Sequence, residues 1–326
     1  MKDVLVTGAT GYLGQALCRA LLREGAKVTA VSRGLGRPAP DGARAVVADV
    51  TDPVALAGLA ASYDTIFHLA AMVSFDPAMA GRLLDVNARG TAGLLTAARS
   101  WGAGRVVVVS SACTIGLSAR PDAVLDETAA PDPALCARNP YLASKLGAEA
   151  AALTAARLGQ DVVVVNPTTV YGPGDYSLNS GTLILSVAKS ALVPVPPGGS
   201  NVVDVDDVVD GMLAAARRGR VGERYILGGA NLRFAEIVDV VAQVVGRRPL
   251  RLPVPALARM PMALAAGLVQ KFTGSRLLTP QIVEDLFSFK FYSSAKAASE
   301  LGFTAARPFA DTVARAWEFY RREGLA

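Results

Sequence analysis

The first fourteen residues constrain the fold of this chain more than any other segment. An apolar run at 4–6 breaks into a glycine-spaced turn, and a helical stretch begins near Tyr12. The turn reads Thr7-Gly8-Ala9-Thr10-Gly11-Tyr12-Leu13-Gly14. Gly8 permits a tight turn, Gly11 lets the backbone approach a bound group, and Gly14 lets the helix pack closely on the strand. Because the helix N-terminus presents N–H groups and the positive end of its dipole, the segment predicts a pyrophosphate-binding turn.

Short β-branched runs alternate with alanine-rich helical stretches through the first half of the chain. The predicted strands cover residues 4–6, 28–31, 45–48, 65–69, 106–109 and 162–165. Apolar strands joined by helical crossovers form parallel sheets covered on both faces, so we predict an α/β fold with a doubly wound parallel sheet, the Rossmann arrangement. Residues 1–170 are predicted to form the dinucleotide-binding domain. Loops lengthen and prolines gather afterwards, so residues 171–326 are predicted to form a smaller, mainly substrate-binding portion, partly interleaved with the sheet.

Composition places the chain outside several functional classes. Of its 326 residues 52% are apolar, yet no uninterrupted apolar run of about 18 residues exists, so no transmembrane helix is expected. The first strand leaves no room for a signal peptide, which predicts a cytoplasmic protein. The chain has three widely spaced cysteines and no C-x-x-C pair. This pattern favours neither a disulfide framework nor a zinc site, and no metal is expected. His68 lies in an apolar strand and is interpreted as a buried structural residue.

The net charge of +5 comes from short, scattered arginine clusters. Without a continuous basic face, and with only 6% aromatic residues, nucleic acid is not an expected partner. One apolar segment, residues 252–272, has the composition of a helix lying on a membrane surface. Arg259 and three prolines interrupt it, so we favour the interpretation that it forms a lid or wall of an apolar pocket.

A tyrosine and a lysine one helical turn apart are the first candidates for chemistry. Tyr141 and Lys145 follow Asn139-Pro140, a suitable helix cap and first turn, and therefore share one face of the helix. A free phenol has a pKa of about 10, and a nearby ammonium lowers that pKa toward neutrality, where proton transfer is efficient. Ser111, at the end of the strand near 105–110, is placed to hold a substrate oxygen.

Taken together, these motifs resemble the extended short-chain dehydrogenase/reductase family, also called the NAD-dependent epimerase/dehydratase family. The resemblance covers nearly the whole chain, and its second half is most similar to dihydroflavonol-reductase-like and hopanoid-associated sugar-epimerase-like members. The motifs are the glycine turn, Asp49-Val50, His68-Leu69-Ala70-Ala71, Asn87, Ser110-Ser111, Tyr141-x-x-x-Lys145, Asn166-Pro167-Thr168-Thr169-Val170-Tyr171-Gly172-Pro173, Gly222-Glu223-Arg224-Tyr225-Ile226-Leu227-Gly228-Gly229 and Phe291-Tyr292-Ser293-Ser294-Ala295-Lys296.

The resemblance implies a role for each matching residue. Tyr141 would be the general acid/base, Lys145 would also hold the nicotinamide ribose, and Ser111 would orient the substrate. Asn87 would have a structural or a proton-relay role, of which we favour the structural one. The cofactor-binding residues implied are Gly8, Thr10, Gly11, Tyr12, Leu13 and Gly14 at the phosphates, Asp49 and Val50 at the adenine, Ala70 and Ala71 along the cofactor, and Pro167, Thr168, Thr169 and Val170 beside the nicotinamide.

The end of the second strand indicates which dinucleotide is used. NAD enzymes place an acidic residue there to bind the adenosine ribose hydroxyls, whereas this chain has Ser32 and Arg33. A hydroxyl and a planar cation suit a 2′-phosphate, so NADP(H) is the predicted cofactor, with NAD(H) as the alternative.

Three functions compete for this chain. We favour an NADP(H)-dependent reductase of a ketone or aldehyde on a hydrophobic or mixed small molecule. The first alternative is a nucleotide-sugar epimerase or dehydratase with retained NAD. Such members of the family carry an arginine for the substrate diphosphate where this chain has Ser200, although Asn179 resembles their substrate asparagine. The second alternative is a dinucleotide-binding sensor, which the Tyr141 and Lys145 pair disfavours.

Small side chains in residues 146–156 suggest an assembly. They permit close approach of helices, and family members often dimerise through two helices of each subunit, so we predict a homodimer. The alternative is that these residues are buried against the chain's own sheet.

Overall fold

A computed structural model describes residues 1–59, 61–273 and 279–326. Its strands are β1 (Asp3–Thr7), β2 (Lys27–Ser32), β3 (Arg44–Val47), β4 (Thr65–His68), β5 (Arg105–Val109), β6 (Val162–Pro167), β7 (Thr169–Tyr171), β8 (Leu192–Val195), β9 (Gly199–Asp204), β10 (Arg224–Leu227), β11 (Ala230–Arg233), β12 (Leu250–Pro253) and β13 (Phe289–Lys290). Its α-helices are α1 (Tyr12–Arg23), α2 (Pro53–Ala57), α3 (Ala80–Leu83), α4 (Gly90–Ser100), α5 (Pro133–Arg138), α6 (Pro140–Arg157), α7 (Gly181–Lys189), α8 (Val205–Arg218), α9 (Phe234–Val244), α10 (Arg259–Thr273), α11 (Pro280–Leu286), α12 (Ala295–Leu301) and α13 (Phe309–Arg322).

The large sheet has seven parallel strands in the order β10-β6-β5-β4-β1-β2-β3. On one face, Leu17 of α1 and Met212 of α8 join an apolar cluster with Val4 of β1. On the other face, Leu94 of α4 and Ala152 of α6 belong to a separate cluster that includes strand residues of β5 and β6. The predicted doubly wound Rossmann sheet is therefore confirmed, and all six predicted strands are present with ends shifted by no more than two residues.

The chain after β6 builds a smaller structure beside the carboxyl ends of the large sheet's strands. Its four-stranded sheet pairs β9 with β7, β11 and β13, and β8 pairs with β12. Helices α7, α9 and α13 cover it through a cluster that includes Ile184, Ile237 and Val313. Between these elements the chain returns to the large sheet, where β10 is the edge strand next to β6.

The helix α6 carries the small residues that suggested a dimer, and some of them pack within this chain. A Cβ atom on Gly147 would lie 2.8 Å from the Cβ atom of Ala88, which belongs to a π-helical segment between α3 and α4 (Leu84–Arg89). Ala152 is fully buried in the cluster beneath the sheet. This part of the helix therefore contacts the chain itself, and the homodimer remains a prediction.

Among the described helices, none combines the length and apolar character that crossing a bilayer requires. The three cysteines, Cys18, Cys113 and Cys136, are free thiols. No grouping of acidic, histidine and cysteine side chains able to hold a metal ion occurs among the described residues.

Candidate active site

The turn between β1 and α1 leaves no space for side chains at two of its glycines, Gly8 and Gly14. Gly8 has a φ of +67°, and a Cβ atom there would lie 2.7 Å from the backbone nitrogen of Ala70. A Cβ atom on Gly14 would lie 2.2 Å from the carbonyl oxygen of Gly8. Gly11 is the N-cap of α1 and provides no side-chain cap, so this helix end can bind an anion through its backbone.

A cavity of about 190 Å³ opens beside this turn and fits the adenosine half of a dinucleotide. Predicted cofactor residues in its wall are Gly8, Thr10, Gly11, Ser32, Arg33, Asp49, Val50, Ala70 and Ala71. Residues in this wall that the sequence did not predict to bind the cofactor are Thr7, Val31, Leu35, Ala48, Leu69 and Val86. Hydrogen bonds from Thr51 lower the pKa of Asp49, and the cations Arg82 and Arg33 lower it further. Asp49 is thus an anion on the wall that also carries Arg33.

The other predicted cofactor residues lie outside that wall. Tyr12 lines a different cavity, of about 620 Å³, on the far side of the turn. Leu13 and Val170 pack against the core cluster beneath the large sheet. Gly14 is buried against Gly8 and shapes the turn.

A third cavity, of about 170 Å³, brings the proposed catalytic side chains together. Tyr141 lies in the first turn of α6, whose N-cap Asn139 accepts a hydrogen bond from the backbone nitrogen of Leu142 at 3.0 Å, as predicted. Ser111 follows β5, and both side chains line the cavity. Three predicted nicotinamide contacts from the end of β6 and the start of β7, Pro167, Thr168 and Thr169, line the same cavity.

Burial dominates the proton affinity of the two titratable groups on α6. It raises the pKa of Tyr141, a hydrogen bond with Ser111 opposes the rise, and the phenol remains protonated at neutral pH. Burial also lowers the pKa of Lys145, against the attraction of Glu149. The expected lowering of the Tyr141 pKa by Lys145 is therefore wrong for this structure, because burial dominates the pKa of the phenol and the ammonium is itself desolvated.

Lys145 lies beneath the cavity rather than in its wall. Its ammonium group donates a hydrogen bond to the carbonyl oxygen of Val109 at 3.1 Å, and the side chain is buried. One turn further along α6, buried Glu149 accepts hydrogen bonds from Thr114 and Asn166, each at 2.6 Å. Asn166 also donates to the carbonyl oxygen of Ser111, so this carboxylate anchors the loop that carries the serine.

Asn87 and His68 have structural surroundings, as predicted. The Asn87 amide bridges the backbone of Met72 and donates to the hydroxyl of Ser144 on α6 at 2.8 Å. The His68 ring lies between the hydroxyls of Thr7 and Thr91, and burial lowers its pKa to about 3. The ring is therefore neutral.

Much of the substrate-side wall was not foreseen from the sequence. Residues found there include Phe75, Cys113, Gln281, Asp285, Lys290 and Tyr292. The Lys290 ammonium lies 3.4 Å from Asp285, which accepts a hydrogen bond from Gln281 at 2.9 Å. Burial raises the pKa of the Cys113 thiol to about 11, so this side chain is an un-ionised wall residue. The i, i+4 spacing of Gln281 and Asp285 marks one helix face, but nothing in the sequence places that face opposite Tyr141.

Two sequence interpretations need correction. Asn179 is exposed and is not among the described residues that line the cavity with Tyr141, because its loop folds around Asp175, which accepts a hydrogen bond from its backbone nitrogen. No described residue of 252–270 lines that cavity either. The apolar segment, interpreted as a lid or wall of an apolar pocket, packs behind α11, which supplies Gln281 and Asp285 to this cavity, so the segment contributes to the cavity only indirectly.

The sequence matches the profile of the NAD dependent epimerase/dehydratase family over residues 4–228. This match covers the glycine turn, Ser111, Tyr141, Lys145 and the end of β10. The chain belongs to this family of enzymes, as its motifs indicated.

Individual relatives extend the similarity over the whole chain. A provisionally named dihydroflavonol 4-reductase of Synechocystis sp. is 32% identical over 311 residues, which cover 91% of this chain and 88% of the relative. Sterol demethylase protein B of Methylococcus capsulatus is 32% identical over 334 residues, covering 98% and 99%. The crystal structure of the protein gox2253 superposes with a TM-score of 0.85 at 30% identity, covering 100% of this chain and 99% of that one.

Proposed function

We propose that this protein is an NADP(H)-dependent oxidoreductase that reduces a ketone or aldehyde on a hydrophobic or mixed small molecule. The observation that carries the proposal is the cavity shared by Ser111, Tyr141 and the segment from Pro167 to Thr169. A proton donor, a hydroxyl for the carbonyl oxygen and the expected nicotinamide contacts face one space, as carbonyl reduction requires. The cradle left by Gly8, Gly11 and Gly14 supports a dinucleotide beside it.

The residues of the chain would perform separate tasks in this reaction. A reduced nicotinamide, when bound, supplies the hydride that adds to the carbonyl carbon. Ser111 donates a hydrogen bond to the carbonyl oxygen as negative charge develops on it. Tyr141 then transfers its proton to that oxygen, giving the alcohol. Lys145 would hold the nicotinamide ribose. Because burial raises the pKa of Tyr141, the phenol carries the required proton at neutral pH.

The wall of the cavity supports a substrate of mixed character. Apolar side chains such as Phe75 and Leu135 surround the reactive groups, whereas Lys290 and Asp285 add a charged pair. A hydrophobic carbonyl compound that carries a hydroxyl or acidic group satisfies both surfaces.

The NADP(H) preference rests on Ser32 and Arg33. Both line the adenosine cavity, and Arg33 is exposed, so its guanidinium can bind a 2′-phosphate. Asp49, on the same wall, is an anion. It attracts the guanidinium of Arg33 and repels a phosphate, so it leaves Arg33 as the group for the 2′-phosphate. Arg33→Asp is therefore expected to raise the KM for NADPH strongly and to leave the KM for NADH similar or lower. Equal effects on both cofactors would contradict this preference.

Nucleotide-sugar chemistry has weaker support at this site. At Ser200, where the related sugar enzymes carry their arginine, the side chain is buried and its hydroxyl lies 2.7 Å from that of Thr169. Without that cation, a substrate diphosphate loses a charge-assisted hydrogen bond worth about 1.5–3 kcal/mol.

The direct test is consumption of NADPH with a panel of hydrophobic ketones and aldehydes. Purified protein is expected to oxidise NADPH in proportion to the alcohol formed. Tyr141→Phe is expected to lower turnover by a factor of about 10²–10⁴ while cofactor still binds. Tyr292→Phe is the matched control, since its hydroxyl in the same wall donates to the carbonyl oxygen of Gly116. Turnover of nucleotide sugars without net NADPH consumption would support an epimerase, and an unaffected Tyr141→Phe variant would support a sensor.

A further inference from the structure

The helix α10 and the turn before it have two different faces. On the inner face, Met262 and Ala266 pack in one cluster with Val283 and Phe287, at and beside α11. The outer face exposes four large apolar side chains. They are Leu257, Met260, Leu264 and Leu268, with exposed fractions of 91%, 73%, 69% and 59%. Their spacing of three, four and four residues places them on one side of the helix, and we call them the apolar stripe.

The apolar stripe lacks charge. Between residues 252 and 268 the sequence has a single charged residue, Arg259. Its guanidinium donates two hydrogen bonds to the carboxylate of Glu284 on α11, at 3.1 and 2.9 Å. The charge of Arg259 is thus directed toward α11 and away from the apolar stripe. Soluble proteins rarely expose a contiguous row of long apolar side chains unless another surface covers it.

The chain immediately before the stripe is basic. Arg247 and Arg248 are exposed, and within the described part of the chain no carboxylate pairs with either. With Arg251, which pairs with Asp239, they line an open depression of about 540 Å³. Leu250, which is also exposed, lies between Arg248 and Arg251 in the sequence. Exposed cations and an exposed apolar helix face, joined along the chain by β12 and the turn after it, complement the phosphates and acyl chains of an anionic bilayer.

We propose that the apolar stripe is a docking surface for the interface of an anionic lipid membrane, with Arg247 and Arg248 at the lipid phosphates. The helix lies along the membrane and does not cross it. A protein partner of matching shape would need an apolar groove with an acidic rim, whereas a lipid surface presents both features along its whole extent. The predicted consequence is peripheral, salt-sensitive membrane binding.

Helix α11 lies between the apolar stripe and the cavity that contains Tyr141. One side of α11 packs on α10 through Val283, and another side presents Gln281 and Asp285 to the cavity that contains Tyr141. A docked α10 would therefore lie one helix layer from that cavity, which is about 10 Å. If the proposed reductase function is correct, a carbonyl compound dissolved in the bilayer is a suitable substrate. The docking itself does not depend on that function.

The test is sedimentation of the full-length protein with vesicles of phosphatidylcholine alone and of phosphatidylcholine mixed with phosphatidylglycerol. The protein is expected to pellet with the anionic vesicles and to be released by high salt. Replacing all four stripe residues by Gln is expected to lower the partition coefficient at least tenfold, and Arg247→Ser with Arg248→Ser to remove the preference for anionic lipid. A variant with Val54→Gln and Leu158→Gln, two exposed apolar residues elsewhere, is the matched control and should pellet like the unaltered protein.

Two results would overturn the proposal. One is equal pelleting of the four-fold Gln variant and the unaltered protein, provided that circular dichroism shows both to be folded. The other is failure of the unaltered protein to pellet with the anionic vesicles. If the Gln substitutions then convert a dimer into monomers in analytical ultracentrifugation, the stripe is assigned to another copy of this chain. Neither result depends on carbonyl reduction, so the docking and the enzyme activity are tested separately.

Discussion

The ammonium group of Lys145 lies 3.1 Å from the carbonyl oxygen of Val109, the last residue of β5. This hydrogen bond ties α6 to the strand that ends two residues before Ser111. The bond thereby fixes the position of Tyr141, on α6, relative to Ser111, which follows β5, and both side chains line the cavity. The lysine thus has a positioning function in addition to its proposed contact with the ribose.

Lys145→Met is expected to lower carbonyl reduction by a factor of about 10²–10⁴, since the variant loses a cation and releases α6 from β5. Both kcat and the dissociation constant for NADPH should change, because the lysine is expected to bind the cofactor as well. Steady-state kinetics and fluorescence titration with NADPH measure the two effects. Lys189→Met is the control, as this exposed lysine donates to the carbonyl oxygen of Leu325, away from the cavity. Normal NADPH affinity and turnover in the Lys145 variant would contradict both assigned roles.

The buried carboxylate of Glu149 is predicted to make Arg224→Met more destabilising than Glu149→Gln. Their ion pair has an N–O distance of 3.1 Å, and the exposed fractions of the side chains are 3% for Glu149 and 21% for Arg224. Removing Arg224 leaves an almost fully buried charge without its cation, at an expected loss of about 3–5 kcal/mol in unfolding free energy. Removing Glu149 leaves a guanidinium that water reaches and that still donates to the carbonyl oxygen of Glu127.

Urea denaturation of the two single variants measures this order. The double variant should recover part of the Arg224→Met loss, because it contains neither uncompensated charge. Equal losses in the two single variants would show that Thr114 and Asn166 satisfy the carboxylate without the arginine.

Gly14→Ala is predicted to abolish cofactor binding and to destabilise the chain. A Cβ atom there would lie 2.2 Å from the carbonyl oxygen of Gly8, so α1 and the turn must separate. Gly81→Ala is the matched control, since a Cβ atom at this helical position would meet no described residue within 4 Å outside its own helix. It should stabilise the chain by about 0.5–1 kcal/mol through helix propensity. Thermal melts with and without NADPH test both variants, and a stabilising response of Gly14→Ala to NADPH would contradict the prediction.

The parts of the structure that sequence could predict are those set by local geometry. The glycine turn and the start of α6 at Asn139 follow from backbone rules that act within a few residues. The raised pKa of Tyr141 depends on how much protein surrounds the phenol, which its spacing from Lys145 does not show. Likewise, Lys290 reaches the substrate wall because β13 pairs with β9, a contact between residues about ninety positions apart. Long-range packing of this kind has no signature in a single sequence.

The alkaline loss of kcat/KM is expected to come from Lys145 and not from Tyr141. Tyr141 must be protonated to donate, and burial raises its pKa, so the phenol keeps its proton at neutral pH and above. The first alkaline loss is assigned to Lys145, whose pKa burial lowers below its usual range. A pH profile of NADPH oxidation with a non-ionising ketone measures this. The same alkaline decline in the residual activity of Lys145→Met would show that the phenol titrates first and would contradict the assigned order of the two groups.

His68 is predicted to make the fold sensitive to mild acid. The Thr91 hydroxyl donates to the carbonyl oxygen of Asn87 at 2.5 Å, so it accepts from the Nε2–H of His68, and Nδ1 accepts from Thr7. The Thr7 hydroxyl in turn accepts from the backbone nitrogen of Ala70 in the adenosine cavity wall. This chain of hydrogen bonds requires a neutral ring, in agreement with its pKa of about 3.

The unfolded chain binds a proton at His68 near pH 6.5, whereas the folded chain does so only near pH 3. Below pH 6.5 the unfolded state therefore binds more protons, and the stability contributed by the neutral ring declines as the pH falls toward 3. Between pH 7.5 and pH 5 this one group is expected to remove about 2 kcal/mol of unfolding free energy. Urea denaturation of the unaltered protein and of His68→Gln at both pH values isolates the effect, because the other titratable groups contribute equally to the two proteins. A stability difference between the two proteins that stays constant across this range would mean that the ring accepts its proton without disturbing Thr7 and Thr91.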